Sequence, residues 1–123
     1  MNEQIDPQAF LPLTPAMFHV LVSLADHDKH GWAILKEVDE RSGGKVQLSP
    51  GTLYGLVKRL LEQGLIAESE ERPPRYWDDQ RRRYYRLTDL GRLVAEAEVE
   101  RMQAAIREAL AKDLRPQAEG GTA

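Results

Sequence analysis

The sequence predicts a mainly α-helical domain with a small β hairpin, followed by one long C-terminal helix. Three observations lead to this fold class. Apolar residues recur every three or four positions in four segments, as they do in helices that are buried on one side. Between the third and fourth segments the pattern changes to the two-residue period of strands. Helix starts are marked at Thr14-Pro15 and Ser49-Pro50, and a helix end is marked at Gly64.

Length and composition restrict the protein class. The 123 residues suffice for one domain, or one domain plus an appended helix, and the absence of Cys excludes disulfides and zinc-thiolate sites. No apolar run approaches the ~20 residues of a membrane span, and the N-terminus lacks a signal-peptide pattern, so we expect a cytoplasmic protein without a membrane partner. The net charge is −3, but residues 48–94 carry nine Lys/Arg against seven Asp/Glu. This local excess permits a polyanionic partner.

The N-terminal part predicts an arm and two helices. Residues 1–12 form an arm whose apolar anchors, Ile5, Phe10 and Leu11, could pack on the same domain or on a second copy. The first helix follows Thr14 and runs to about Asp26. The polar residues 27–31 predict a turn, and a second helix ends near Ser42-Gly43-Gly44. Residues 45–48 are a connector or a short strand.

The third helix, from Ser49 to Gly64, has a single apolar stripe. Its members are Leu53, Leu56, Val57, Leu60 and Leu61. The opposite face contains Gly51 and Gly55, each of which costs a helix about 1 kcal/mol relative to Ala. The glycines therefore predict close approach of a ligand to the backbone, although a surface helix can also tolerate them.

Two strands and a long helix complete the chain. We expect strands at 65–71 and 82–87, joined by a long loop, and then a helix of about 25 residues capped by Thr88. Such a helix would be about 37 Å long, more than one small domain can cover, so part of its apolar side should meet a second chain. The predicted dimerisation residues are Leu93, Val94, Val99, Met102, Ile106 and Leu110.

The order helix, helix, helix, strand, basic loop, strand is that of a winged helix-turn-helix domain. In this fold the third helix enters the DNA major groove and the hairpin, or wing, lies along the backbone. The predicted organisation is an arm (1–12), a winged-helix domain (13–88), a dimerisation helix (89–114) and a disordered tail (115–123).

Three segments of the chain resemble the PadR family of bacterial winged-helix transcriptional regulators. They are LTPAMFHVLVSLADHDKHGWAILKEVDERSGG, SPGTLYGLVKRLLEQGLI and RRRYYRLTDLG. The resemblance covers Leu13 to Leu110, and the single last helix resembles the smaller branch of the family. It implies a homodimer joined through that helix, usually a repressor that releases its operator when a small molecule binds. Trp32, where the family commonly has Tyr, and the wing tip with Pro73-Pro74 and Trp77 depart from the family pattern.

Side-chain chemistry predicts which residues contact DNA. At the start of the third helix, hydroxyls and free amides can bind a phosphate, and farther along Tyr54, Lys58 and Arg59 can reach phosphates or base edges. The predicted DNA-binding residues are Ser49, Gly51, Thr52, Tyr54, Gly55, Lys58, Arg59, Arg81, Arg82 and Arg83. The arginines could instead pair with carboxylates such as Glu68 across the hairpin, and Tyr85 should pack inward.

The sequence thus predicts a homodimeric, sequence-specific DNA-binding regulator, a repressor released by a small-molecule effector. Its partners would be double-stranded DNA with an inverted-repeat operator, a second copy of the chain, and a small hydrophobic effector near Met102 and Ile106. No glycine-rich phosphate loop or nucleophile motif is present, so we expect no enzyme, no catalytic residue and no cofactor. His27 and His30 are not expected to bind a metal. The alternative function is a winged-helix module that binds another protein.

Overall fold

The computed structural model describes residues 5–69 and 83–117. Its elements, in chain order, are a 3-10 helix (Pro7–Phe10), α1 (Pro15–Ser23), β1 (Lys29–His30), α2 (Gly31–Arg41), α3 (Pro50–Glu62), β2 (Ile66–Glu68), β3 (Tyr84–Leu87) and α4 (Asp89–Ala111). The predicted fold class, a mainly helical winged domain with a long C-terminal helix, is confirmed. None of the helices in the described ranges has the length and apolar content that a membrane span requires.

Side-chain caps begin all four α-helices of the described residues, and His30 caps α2 by accepting a hydrogen bond from the Ala33 amide at 3.3 Å. The side chains of Thr14, Ser49 and Thr88 each accept a hydrogen bond from the backbone amide three residues later. The first helix ends at Ser23, short of the predicted Asp26, and the Ser23 carbonyl accepts a hydrogen bond from the Lys29 ammonium. Caps are local interactions, which is why the sequence predicted the helix starts better than the helix ends.

The sheet has three antiparallel strands in the order β1-β3-β2. Ile66 pairs with Leu87, as in the predicted hairpin, and Lys29 pairs with Tyr85 on the other side of β3. The prediction of a plain turn at 27–31 was therefore wrong, because β1 is too short to show a strand period and is held by β3. The predicted strand ends between residues 70 and 82 lie outside the described residues. The segment 45–48 is a connector.

The core lies between the four α-helices and the sheet. Leu53, Val57 and Leu60 of α3 are buried, as the apolar stripe predicted, and Tyr85 points inward with 5% of its surface exposed. Burial raises the pKa of the Tyr85 hydroxyl. The opposite face of α3 is therefore the face turned away from the core.

The described part of the N-terminal arm, residues 5–12, packs on its own domain. Phe10 and Leu11 lie against the core, and the Leu13 amide donates a hydrogen bond to Glu98 Oε2 of α4 at 3.2 Å. Only 2% of the Glu98 surface is exposed, and Arg101 Nε donates to its Oε1 at 2.6 Å. The hydrogen bond from Arg101, together with that from Leu13, lowers the pKa of the Glu98 carboxyl. The sequence had not indicated this junction, since a glutamate in a charged helix usually faces solvent.

A close contact sets the position of α4 relative to the end of α3. Gly64, with φ of 77°, ends the α3 turn, and its carbonyl accepts from Thr88 Oγ1 at 2.7 Å. The Thr88 amide donates to the Leu65 carbonyl at 3.2 Å. A Cβ on Gly91 would lie 2.0 Å from that Leu65 oxygen, so only glycine fits there. Through this contact the orientation of α4 follows that of α3.

Candidate nucleic-acid interface

Seven of the predicted DNA-binding residues share the solvent-exposed side of α3, which we call the recognition face. Its members are Ser49, Gly51, Thr52, Tyr54, Gly55, Lys58 and Arg59, and every one is exposed. They come together because the buried stripe of α3 occupies the other side of the helix. The recognition face is thus the side of α3 that the sequence predicted to lie opposite the apolar stripe.

The two glycines of the recognition face are not required by the fold. A Cβ at Gly51 or Gly55 would meet no atom within 4 Å. Alanine at either position would raise helix stability by about 1 kcal/mol, since Gly is the poorer helix former. The close contact that requires glycine at position 91 is thus absent at Gly51 and Gly55. Without side chains, these two glycines leave the α3 backbone uncovered.

At the start of α3, Ser49 and Thr52 bond to each other. The Thr52 amide donates to Ser49 Oγ at 3.1 Å, and Ser49 Oγ donates to Thr52 Oγ1 at 2.9 Å. The Ser49 hydroxyl is therefore occupied by capping, whereas Thr52 keeps its own hydroxyl hydrogen for an external acceptor. Of the two predicted phosphate contacts, Thr52 is the better placed donor.

The basic residues of the predicted interface fall into three groups. Lys58 and Arg59 are exposed and form no hydrogen bond or ion pair within the part of the chain that the structure describes. Arg83 Nη1 lies 3.1 Å from Glu68 Oε2, the cross-strand pair that the alternative interpretation predicted. Both side chains are well exposed, so the pair is worth less than about 1 kcal/mol. The other wing residues predicted or noted from the sequence, Arg81, Arg82, Pro73, Pro74 and Trp77, lie outside the described residues.

The ring of Tyr54 lies over the first residue of α2. Its Oη and Cε1 atoms are 3.2 and 3.4 Å from the position that a Cβ on Gly31 would occupy. A larger residue at 31 would push the ring away, so Gly31 helps to position Tyr54 on the recognition face. The Tyr54 side chain is still 55% exposed. The role of Gly31 depends on a contact between two helices and has no local sequence signal.

The predicted dimerisation residues of α4 do not share one surface. Leu93, Val99 and Ile106 are 51%, 40% and 57% exposed, and Met102 and Leu110 are half-buried. At about 100° per residue, Leu93 lies on a different side of α4 from Val99 and Ile106. Val94 was predicted to be a dimerisation residue, but it is fully buried in the core of its own chain. It lies on the side of α4 that faces the domain, whereas Val99 and Ile106 are exposed.

A buried basic residue that the sequence did not single out lies near α1. The Lys29 side chain is 8% exposed; its ammonium donates to the Ser23 carbonyl and, at 2.6 Å, to Asp26 Oδ1. It also lies 3.5 Å from Glu37 Oε2 of α2. The hydrogen bond from Lys29 lowers the pKa of Asp26. Lys29 therefore connects α1, β1 and α2 and is not available to a ligand.

Comparison with known proteins identifies the family. The model of the transcriptional regulator PadR-like family matches residues 20–97, from α1 through the recognition face and into α4. The chain belongs to this family. Its members are transcriptional regulators and not enzymes, so the predicted family and the predicted protein class are both confirmed.

Relatives of this PadR-like chain differ in length. Transcriptional regulator Rv3488 of Mycobacterium tuberculosis is 35% identical over 92 residues, which cover 75% of this chain and 79% of the relative. An uncharacterized 37.1 kDa protein in transposon TN4556 of Streptomyces fradiae is 37% identical over 71% of this chain. The chain spans only 23% of the length of that transposon protein.

Solved structures share the fold. The crystal structure of a PadR family transcriptional regulator from Eggerthella lenta has a TM-score of 0.58 and 28% identity, covering 90% of this chain and 87% of that chain. Bacillus subtilis PadR in complex with operator DNA has a TM-score of 0.57 and 18% identity. Here 87% of this chain and 52% of that chain are covered, and the likeness shows a common fold.

Proposed function

We propose that this PadR-like chain is a sequence-specific DNA-binding repressor that acts as a homodimer. The observation that carries the proposal is the recognition face, where two glycines uncover the backbone beside unpaired Lys58 and Arg59. Residues 13–88 would bind DNA and residues 89–114 would form the dimer. The cytoplasm would then be the working compartment, because the operator is there.

The recognition face would supply both approach and contacts. Gly51 and Gly55 let α3 enter the major groove closely, and Thr52 donates to a phosphate near the helix start. Tyr54 can touch a thymine methyl or donate to a phosphate, while Lys58 and Arg59 reach phosphates or guanine edges. Bacillus subtilis PadR, which has the same fold, is solved in complex with operator DNA, and this supports DNA binding as the function.

The wing would add sequence-independent affinity. Arg81, Arg82 and Arg83 would track the DNA backbone, with Arg83 exchanging its Glu68 partner for a phosphate. If each protomer neutralises about four phosphates, the log–log salt slope of a dimer is about −7. Affinity from the wing would therefore fall steeply as salt rises.

A second copy of the chain would cover the exposed apolar side of α4. Val99 and Ile106, with the half-buried Met102 and Leu110, form the surface that water would leave on association. A two-fold dimer would present its two α3 helices about 34 Å apart, which requires an inverted-repeat operator. A small hydrophobic effector would enter between the two copies of α4, near Met102 and Ile106, and release the DNA.

Salt-dependent binding tests the proposal directly. Fluorescence anisotropy would compare a duplex from upstream of the protein's own gene with a random duplex, in the wild type and in two variants. Lys58→Gln removes one contact per protomer and should make the dimer slope about 1.8 units shallower, from about 0.9 per contact. Lys112→Gln, an exposed lysine beyond the end of α4, is the matched control and should leave the slope unchanged. Equal slopes for Lys58→Gln and the wild type would contradict a DNA-binding role for the recognition face.

A winged-helix module that binds another protein is the second candidate. The pairing of Arg83 with Glu68 and the net charge of −3 favour it, since both reduce attraction to DNA. Failure to bind either duplex even at about 50 mM salt, where phosphate contacts are strong, would favour this candidate.

A further inference from the structure

Gly31, the first residue of α2, is a buried glycine that its own backbone does not require. Among the glycines in the described part of the chain, only Gly43, Gly44 and Gly64 have a positive φ. Any residue can therefore adopt the backbone conformation of Gly31, and alanine would be the better helix former there. The reason for a glycine at position 31 is a neighbouring group and not the backbone.

A Cβ at position 31 would meet two consecutive residues of α3. It would lie 3.5 Å from Leu53 Cδ2, an ordinary contact, but 3.2 Å from Tyr54 Oη and 3.4 Å from Tyr54 Cε1. Leu53 is fully buried in a packed core and has no room to move, whereas Tyr54 is 55% exposed. The Tyr54 ring is therefore the group that would shift, by a few tenths of an ångström.

The backbone at Gly31 is fixed by the sheet and by the cap of α2. The two residues of β1 pair with β3, with Lys29 opposite Tyr85. His30 Nδ1 then accepts a hydrogen bond from the Ala33 amide at 3.3 Å. Because the backbone cannot give way, the residue at position 31 decides how close the Tyr54 ring comes to α2.

The Tyr54 ring turns aromatic carbon toward the open side of the recognition face. Its hydroxyl lies toward α2, so the part of the side chain that points away from α2 consists of ring carbons. Tyr54 and Lys58 are four residues apart on α3 and lie on the same side of that helix. On the base edges of the major groove, the apolar group that an apolar side chain contacts is the thymine methyl. The exposed ring therefore fits a thymine.

We propose that Gly31 sets a base preference of the recognition face, because it lets the Tyr54 ring lie where the ring contacts a thymine methyl group. Gly31 is a positioning residue: it acts through the ring and does not itself contact DNA. The inference rests on the proposed DNA-binding function and adds to it the residue that positions one base contact.

Replacing thymine with uracil removes the methyl group alone and so tests the contact. The full-length wild-type protein first selects an operator from a pool of randomised duplexes. Each thymine is then replaced by deoxyuridine in both half-sites, and fluorescence anisotropy measures the Kd. Losing a buried methyl group costs about fourfold per half-site, or about sixteenfold for the dimer. We expect this uracil penalty at one thymine in the wild type, and no penalty at that thymine in Tyr54→Ala.

Two further proteins test the position of the ring. Gly31→Ala should reduce the uracil penalty to about eightfold or less, because a shifted ring loses part of its contact with the methyl group. Tyr54→Phe is the matched control, since it keeps the ring and removes the hydroxyl that lies closest to position 31. Tyr54→Phe alone should keep the full penalty, and Gly31→Ala combined with Tyr54→Phe should restore it. Thermal melts of these proteins should show no loss of stability.

The possible results separate this inference from the proposed function. If the wild type selects no sequence, the DNA-binding function is overturned and the inference with it. If an operator is selected but no thymine loses its penalty in Tyr54→Ala, the base contact is overturned. A full penalty in Gly31→Ala, or no recovery with Tyr54→Phe, would overturn the positioning role of Gly31 and leave the DNA-binding function standing. A Gly31→Ala protein that unfolds more easily would mean that the glycine serves packing, and would also overturn the inference.

Discussion

The basic side chains at the end of α1 and those on the recognition face differ in what they bind. Lys29 donates to the Ser23 carbonyl, Arg41 Nη2 to Ser23 Oγ at 3.1 Å, and Arg92 Nη2 to the Ala25 carbonyl at 2.9 Å. Carbonyls at the end of a helix lack amide partners and carry partial negative charge, so Lys29 and Arg92 stabilise the end of α1, while Arg41 binds a side-chain hydroxyl there. These three residues come from β1, α2 and α4, and together they attach those elements to α1.

On the recognition face the same residue types have no partner within the described chain. Lys58 and Arg59 are exposed, and the glycines beside them leave the α3 backbone open. A basic residue whose partners belong to its own chain contributes to folding, whereas one without such partners is available for binding. Substitutions in the first region should therefore change stability, and those in the second should change DNA affinity.

Lys29→Met should give the largest effect. It leaves the Ser23 carbonyl and the Glu37 carboxylate without a buried cation, and we expect a loss of about 2–4 kcal/mol in the free energy of unfolding. Urea denaturation measures the loss, and the salt slope of DNA binding by the folded protein should not change. A shallower slope would mean that Lys29 belongs with the DNA-binding residues.

Glu98→Gln tests whether the charge of a buried carboxylate on α4 also contributes to the stability of the fold. The free energy of unfolding at pH 7 should fall by about 1–2 kcal/mol, because charged hydrogen bonds to Arg101 and Leu13 are weakened. The folded-state pKa of Glu98 is lowered from its ordinary 4.5, so its contribution is present above that pH and is lost as pH falls through the folded value. Wild type and variant should thus converge in urea titrations as the pH is lowered below 4.5. A difference that is constant with pH would contradict the ionic role.

Gly55→Ala should separate stability from binding in opposite directions. Because the added Cβ would lie in open space, the free energy of unfolding should rise by about 0.5–1 kcal/mol. The variant should nevertheless bind DNA more weakly. Thermal melts and anisotropy measure the two quantities. Gly91→Ala is the contrasting variant, since its Cβ would lie 2.0 Å from the Leu65 carbonyl oxygen and should strongly destabilise the fold. Unchanged DNA affinity in Gly55→Ala would remove the close-approach explanation for the glycine.

Glu68→Gln should give the smallest change in stability. The exposed Arg83–Glu68 pair contributes less than about 0.5 kcal/mol, but its removal frees Arg83 for a phosphate. Affinity for any duplex should rise about two- to threefold and the salt slope should become steeper by up to about 0.9 per protomer. If anisotropy titrations gave the same affinity and salt slope as for the wild type, Arg83 would not contact DNA.

Most of the fold was predictable because its signals are local. The caps at Thr14, Ser49 and Thr88, the stripe of α3 and the stop at Gly64 each depend on residues within about one helix turn. The strand β1 was missed because its two residues are held by β3, more than fifty positions along the chain. Local pattern contains no information on such a distant pairing.

The sequence by itself determined the helix order, the family resemblance and the residues that lie on the exposed side of α3. Only the tertiary structure decided which basic residues are occupied, because Lys29 and Lys58 have the same chemistry and differ in the acceptors that packing brings to the ammonium group. It likewise buried Val94 while leaving the adjacent Leu93 exposed. Such assignments depend on which helix faces pack together, and in this protein the close contact between Gly91 and Leu65 sets that packing for α4.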